Sequence, residues 1–137
     1  MRRSGEVYAG YPSRGVRSLI AVVDDEEMVR KAVVRLLEAA GYTARGFGSG
    51  REFLQFWPKN RPDCVVLDLA MPDLSGADVQ RALSRAGAHF PVVIITAHDE
   101  PGVREDCMRR GAAAYLCKPV DERELLAALE AAVGPSP

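Results

Sequence analysis

Short, uninterrupted apolar runs recur along the chain, and they constrain its fold more than any other feature. Four of them are Leu19–Val23, Cys64–Leu67, Val92–Ile95 and Ala114–Cys117, and a weaker strand is predicted at Thr43–Phe47. A short apolar run without polar alternation is typical of a strand that is buried on both faces. Such strands indicate a parallel sheet that is covered by helices on both sides.

Segments with helical apolar spacing separate these runs. The first helix is predicted from its apolar positions between Met28 and Leu37, and Gly41 ends it. The starts of the other four helices are marked by residues that favour an N-cap or a first helical turn. These residues are Ser49, Ser75, Pro101 and Asp121. The alternation predicts a single-domain α/β fold with a doubly wound, five-stranded parallel sheet. The flavodoxin-like strand order 2-1-3-4-5 is adopted by analogy.

The domain boundaries follow from changes in composition. Residues 1–17 are rich in glycine and arginine without apolar periodicity, so we expect a flexible, mildly basic arm. A passive tail is favoured over a partner-binding segment. Residues 18–134 are predicted to form the folded domain. Residues 135–137 read as a C-terminal tail or the start of a linker, which leaves open a stand-alone domain or a piece of a longer protein.

The bulk properties exclude several classes of protein. The formal net charge is -1, which gives no general attraction to nucleic acid or anionic membranes. No apolar run approaches the roughly 18 residues that a membrane-spanning helix needs. The three cysteines form no C-x-x-C pair, so neither a zinc site nor a redox pair is indicated. We therefore expect a cytoplasmic protein with reduced thiols that binds neither membrane nor nucleic acid through this domain.

Polar side chains of complementary kinds follow four of the predicted strands. Asp24 and Asp25 follow the first strand, Asp68 the third, Thr96 the fourth and Lys118 the fifth. Each alone has an ordinary explanation, such as a helix cap or a surface lysine. The carboxyl ends of parallel strands meet at one edge of a sheet, where ligands bind. Together the residues offer oxygen ligands for a divalent cation and groups that can support phosphoryl transfer to a carboxylate.

The same motifs carry a family resemblance. Val22–Glu26, Leu67–Pro72 with Gly76, Ile95–Ala97 and Lys118–Pro119 resemble, in order and spacing, the receiver domain of two-component response regulators. The resemblance covers about residues 18–133. The sequence around the third strand is most similar to that of receivers of nitrogen-fixation and nitrate regulators.

The resemblance implies a role for each residue at the predicted sheet edge. Asp68 would be the phosphoacceptor. Asp24, Asp25, Asp68 and the backbone carbonyl of Ala70 would hold Mg²⁺, or Mn²⁺ in its place. Lys118 would pair with the phosphoryl group.

Four further positions would belong to a switch or to its surroundings. Thr96 would bind a phosphoryl oxygen and move on activation, and Tyr115 would then turn inward. The peptide bond between Lys118 and Pro119 is expected to be cis. For His98 a passive, exposed imidazole is favoured over contact with the phosphoryl group.

The predicted function is a phosphorylation-dependent signalling switch rather than a metabolic enzyme. It would support only its own Mg²⁺-dependent phosphorylation and dephosphorylation. A sensor histidine kinase or phosphotransfer protein would supply the phosphoryl group, and a homodimer could form through the fourth helix, fifth strand and fifth helix.

Three other functions are alternatives to this one. An aspartyl-phosphate phosphatase would place a second Asp where Ala70 stands. A flavin carrier would not place an acidic run such as Asp24–Glu27 in its phosphate loop. A receiver-like binding module that is never phosphorylated remains the main alternative.

Overall fold

The computed structural model describes residues 18–134, and the predicted arm and C-terminal tail lie outside the described residues. Five strands alternate with five helices along the chain. The strands are β1 (Leu19–Val23), β2 (Thr43–Phe47), β3 (Cys64–Asp68), β4 (Val92–Thr96) and β5 (Ala114–Cys117). The helices are α1 (Glu27–Ala39), α2 (Gly50–Phe56), α3 (Gly76–Arg85), α4 (Val103–Arg109) and α5 (Glu122–Val133). None of these helices is long and apolar enough to cross a membrane.

The strands form one parallel sheet in the order β2-β1-β3-β4-β5, which confirms the predicted fold and strand order. Their register aligns the carboxyl ends of the central strands. Val23 of β1 lies beside Leu67 of β3, and Asp68 at the end of β3 lies beside Ile95 of β4. Residues that directly follow β1 and β3 are therefore neighbours at the same sheet edge.

Two apolar layers bury the two faces of the sheet. On one face Ala21 and Val23 pack with residues of α2, α3 and α4, including Phe53 and Val79. On the other face alternate strand residues pack with α1 and α5, and the buried residues there include Val33, Leu37, Leu125 and Leu129. This two-sided burial explains why the central strands are uniformly apolar in sequence.

The predicted helix starts are largely reproduced, with one difference. The side chains of Ser49, Ser75 and Asp121 each accept a hydrogen bond from a backbone N–H in the first turn, and Ser75 forms a reciprocal capping box with Asp78. Pro101, predicted in the first turn of α4, instead precedes the helix. Gly102 is the N-cap with a φ of 85°, a left-handed conformation that delays helical geometry to the next residue.

The start of α3 lies directly against the backbone at the end of β3. The N–H of Gly76 donates to the carbonyl of Leu69 at 2.9 Å. A Cβ atom at position 76 would lie 2.7 Å from the carbonyl oxygen of Asp68 and 2.8 Å from the Cα of Leu69. These neighbours are backbone atoms, which cannot rotate away as the end of a side chain can. The absence of a side chain at Gly76 therefore allows α3 to approach Asp68.

The substitution Gly76→Ala tests this close approach. We expect it to lower the free energy of unfolding by about 1–3 kcal/mol, because the added methyl group must push α3 from the end of β3. Urea denaturation measures the change. Gly48→Ala is the matched control, because the nearest atoms to its Cβ would lie at the ends of the Arg30 and Glu52 side chains, at 3.4 Å or more. Equal losses in the two variants would contradict the explanation.

Candidate functional site

Three carboxylates lie together at the carboxyl end of the sheet. Asp24 and Asp25 follow β1, and Asp68 ends β3. One oxygen from each lies within 4.8 Å of the others. Asp24 and Asp68 are buried, whereas Asp25 is exposed at the surface. The structure thus brings together the three acidic residues that the sequence analysis selected.

Hydrogen bonds hold Asp24 through its N–H, its carbonyl and one carboxylate oxygen. Its N–H donates to the carbonyl of Phe47 at 3.1 Å, and its carbonyl accepts from Arg30 Nη1 at 2.8 Å. The Arg30 side chain passes over Gly46, where no Cβ obstructs it. Asp24 Oδ1 also accepts from the N–H of Glu26 at 2.8 Å. One carboxylate oxygen is therefore oriented by the backbone, which leaves Oδ2 to face the other charges.

Lys118 reaches the carboxylates from the end of β5. Its N–H donates to the carbonyl of Thr96 at 2.7 Å, and the Lys118–Pro119 peptide bond is cis, as the resemblance implied. The Nζ atom lies 2.9 Å from Asp24 Oδ2 and 3.5 Å from Asp68 Oδ1. It also lies 2.8 Å from Oε1 of Glu26, a residue that was given no role from the sequence.

Asp68 has one oxygen with a donor and one without. Its Oδ1 accepts from the N–H of Ala70 at 3.3 Å. Its Oδ2 is buried and has no hydrogen-bond partner among residues 18–134. Burial raises the pKa of Asp68 to about 7, and the charge of Asp24 adds to this rise while Lys118 opposes it. The carboxyl thus carries a desolvated charge that the protein only partly compensates.

For the Lys118 ammonium, nearby carboxylates affect the pKa more than burial does. Burial lowers its pKa, but the hydrogen bonds to Glu26 and Asp24 and the charge of Asp68 outweigh that effect, so the pKa is raised overall. Lys118 therefore stays charged at neutral pH and is the cation of the site.

The residues present fit a divalent cation. Three carboxylate oxygens within 4.8 Å of one another form an oxygen donor set. The second oxygen of Asp68 is buried without a donor, which is costly unless a cation or a proton compensates it. A hard cation such as Mg²⁺ prefers ligands of this kind.

Thr96 ends β4, the strand next to Asp68, and it is fully buried. In this conformation its hydroxyl is bound to the following loop rather than to the carboxylates. Oγ1 accepts from the N–H of His98 at 3.0 Å and donates to the His98 carbonyl at 3.4 Å. The residue therefore lies at the predicted sheet edge, with its hydroxyl bound to the loop that follows β4.

Tyr115 is buried, with 5% of its surface exposed. Its hydroxyl donates to Asp99 Oδ1 at 3.0 Å, and the guanidinium of Arg104 lies 5.5 Å from the ring centre. Burial raises the pKa of Tyr115 to about 12, and the adjacent Asp99 contributes. The contacts of Tyr115 therefore join β5 to the loop that follows Thr96.

Sequence reasoning missed three residues of this region: Glu26, Arg30 and Asp99. Glu26 continues the acidic run that begins at Asp24, which is the only signal that could have suggested it. Arg30 and Asp99 act through contacts that form only in the folded chain. No pattern in the sequence identifies either of them.

The raised pKa of Asp68 makes the stability of the metal-free protein depend on pH. Well below pH 3.8, the carboxyl is protonated in both the folded and the unfolded state. As the pH rises from the ordinary value of 3.8 to about 7, the unfolded chain loses this proton while the folded protein retains it. The contribution of Asp68 to stability therefore falls through this window.

We expect metal-free Asp68→Asn to exceed the wild type at pH 8 by about 1–3 kcal/mol in free energy of unfolding, and the difference to shrink towards pH 4. Denaturant unfolding in a chelating buffer measures this difference. Asp73→Asn, which alters an exposed carboxylate paired with Arg51, serves as the control. A difference that is independent of pH would contradict the prediction.

Comparisons with known proteins agree with the fold and the motifs. The model of the response regulator receiver domain family matches residues 20–130. Nodulation protein W of Bradyrhizobium diazoefficiens is 35% identical over 123 residues, which cover 90% of this chain and 54% of that protein. The transcriptional regulatory protein FixJ of Azorhizobium caulinodans is 33% identical over 117 residues, covering 85% of this chain and 56% of FixJ. The chain thus spans about half the length of these relatives.

Solved structures give the same result. A response regulator receiver protein from Burkholderia phymatum superimposes with a TM-score of 0.78 at 43% identity, covering 88% of this chain and 98% of that one. The FixJ-N structure gives a TM-score of 0.80 at 32% identity, with coverage of 86% and 94%. The resemblance stated from the motifs is confirmed: the chain belongs to the response regulator receiver domain family of two-component signalling.

Proposed function

We propose that this chain is a phosphorylation-driven switch in which Asp68 accepts a phosphoryl group from a histidine of a sensor kinase or phosphotransfer protein. The observation that carries the proposal is the surroundings of the Asp68 carboxylate. It lies in a cluster with Asp24 and Asp25, and Lys118 Nζ is 3.5 Å from Oδ1. These are a nucleophile, cation ligands and a compensating charge in one place.

In the proposed reaction a carboxylate oxygen of Asp68 attacks the phosphorus atom. A new P–O bond forms as the P–N bond to the donor histidine breaks, and its electron pair returns to the imidazole. Asp24, Asp25, Asp68 and the carbonyl of Ala70 would hold Mg²⁺ or Mn²⁺, which when bound neutralises charge on the carboxylates and the phosphoryl oxygens. Lys118 would pair with the phosphoryl group at the end of transfer.

Turnover of a separate substrate is not supported by the groups around Asp68. An aspartyl-phosphate phosphatase needs an acid or base beside its nucleophile, and Ala70 offers only its backbone there. The domain would therefore limit its chemistry to gain and loss of its own phosphoryl group. The family membership and the assembled site do not favour the alternative of an unphosphorylated binding module.

Contact with the donor is supported by an apolar groove beside the site. The groove has a volume of about 270 Å³ and lies between α1 and the segment after β5. Its lining residues are Val29, Ala32, Val33, Leu36, Lys118, Pro119 and Val120. Met28, in the first turn of α1, is 86% exposed. We propose that a helix of the phosphodonor packs here, because exposed apolar surface of this kind typically marks a protein contact.

The output would be carried by Thr96 and Tyr115. A phosphoryl oxygen on Asp68 would compete for the Thr96 hydroxyl, which now bonds to His98. Movement of this loop would disturb the hydrogen bond between Tyr115 and Asp99 and so change the α4–β5–α5 face. We propose that this face binds an effector or a second copy of the chain. Residues 18–134 would be the receiver unit, without a nucleic-acid contact of its own.

A cytoplasmic location is proposed on the state of the thiols. Cys64, Cys107 and Cys117 are all free. Unpaired thiols are the usual state of cysteines in a reducing compartment.

Phosphoryl uptake from acetyl phosphate tests the proposed acceptor. We expect Mg²⁺-dependent incorporation in the wild type and none above background in Asp68→Asn, because the amide cannot form the acyl phosphate. Intact-mass spectrometry counts the added groups. Asp73→Asn should match the wild type, since its side chain is 73% exposed and bonds only to Arg51 among the contacts that the structure gives it. Undiminished uptake by Asp68→Asn would place the acceptor elsewhere.

The switch is tested by the surroundings of the Tyr115 ring. We expect its NMR signals to shift when beryllofluoride, a phosphoryl mimic, is added with Mg²⁺, because the partner loop moves. In Asp68→Asn the signals should stay unchanged under the same conditions. Tyr42, which is buried on the other face of the sheet, supplies the internal reference. A Tyr115 ring with identical signals before and after saturation would exclude the switch role.

A further inference from the structure

Lys118 makes its shortest contact with a residue outside the proposed chemistry. Its Nζ lies 2.8 Å from Glu26 Oε1, closer than to Asp24 Oδ2 at 2.9 Å and much closer than to Asp68 Oδ1 at 3.5 Å. The ammonium is therefore held towards the β1 side of the site, and its contact with Asp68 is the longest of the three.

Glu26 is oriented for this contact by its own backbone. Its N–H donates to Asp24 Oδ1 at 2.8 Å, and it is the N-cap residue of α1. Its side chain is 58% exposed, whereas that of Lys118 is 10% exposed. The pair therefore joins an exposed carboxylate to a nearly buried ammonium. The low exposure of the ammonium reduces the solvent screening of the contact.

We propose that Glu26 is a positioning residue that competes with the phosphoryl group for Lys118. The inference rests on the proposed function, in which Lys118 pairs with the phosphoryl group. When that group arrives on Asp68, Lys118 must exchange the Glu26 carboxylate for a phosphoryl oxygen. The existing ion pair therefore lowers the affinity of the site for phosphoryl groups and holds Lys118 in a resting position.

A neighbouring residue separates this effect from general charge repulsion. Glu27 follows Glu26 in the chain and carries the same charge, but it pairs with Lys31 at 2.7 Å, and its side chain is 64% exposed. Replacing either glutamate with glutamine removes one negative charge at the start of α1. Only the change at position 26 removes a carboxylate that contacts Lys118.

The first measurement is the affinity for beryllofluoride at saturating Mg²⁺. We expect Glu26→Gln to bind the mimic about two- to fivefold more tightly than the wild type, in keeping with loss of one partly exposed ion pair. Glu27→Gln should stay near the wild-type affinity. Equal affinities in the two variants would overturn the proposal, because charge alone would then account for any gain.

The second measurement needs neither metal nor phosphoryl mimic. The ¹H–¹⁵N signal of the Lys118 ammonium is compared among the wild type, Glu26→Gln and Glu27→Gln, and Lys118→Arg identifies the signal by its loss. We expect a shift in Glu26→Gln and none in Glu27→Gln. A signal that is the same in all three proteins would overturn the proposed contact between Glu26 and Lys118, even where the wild type takes up phosphoryl. A wild type that neither binds the mimic nor takes up phosphoryl, with the Lys118 shift present, would instead overturn the proposed function and the competition with it.

Discussion

The repulsion among the carboxylates at one edge of the sheet is the constraint that the rest of the structure has to offset. Two like charges 4 Å apart repel by about 4 kcal/mol at the effective dielectric near a protein surface. Asp24 and Asp68 are both buried, and Lys118 is the cation that contacts both of them. Burial, and after it the charge of Asp24, raise the pKa of Asp68, and Lys118 offsets only part of that rise. A divalent cation or a proton relieves the same excess charge, so the resting site is prepared for either.

The fold can hold such a site because its strands are fixed on both faces. The apolar layers on the two sides of the sheet leave β1 and β3 little freedom to separate. Their register keeps Val23 beside Leu67, and the acidic residues follow these positions. Burial of apolar surface therefore maintains an arrangement that its own electrostatics oppose.

The elements and the acidic cluster could be predicted from the sequence because both follow from local patterns. Apolar runs mark the strands, and the carboxyl ends of parallel strands must meet. The partner of Lys118 could not be predicted in this way, since a flexible side chain chooses among several carboxylates only in the folded protein. The start of α4 was placed too early for a related reason: Gly102 adopts a left-handed conformation that Pro101 does not reveal. The contact between Tyr115 and Asp99 likewise depends on the path of a loop.

The contact of Gly76 with the end of β3 has a consequence for redesign of this protein. Backbone atoms of Asp68 and Leu69 touch the first residue of α3 without any side chain between them. Asp68, the loop that follows it and the start of α3 are therefore packed against one another through backbone atoms. Exchange of the loop with that of another protein would preserve the position of Asp68 only if the segment from β3 through Gly76 were transplanted whole.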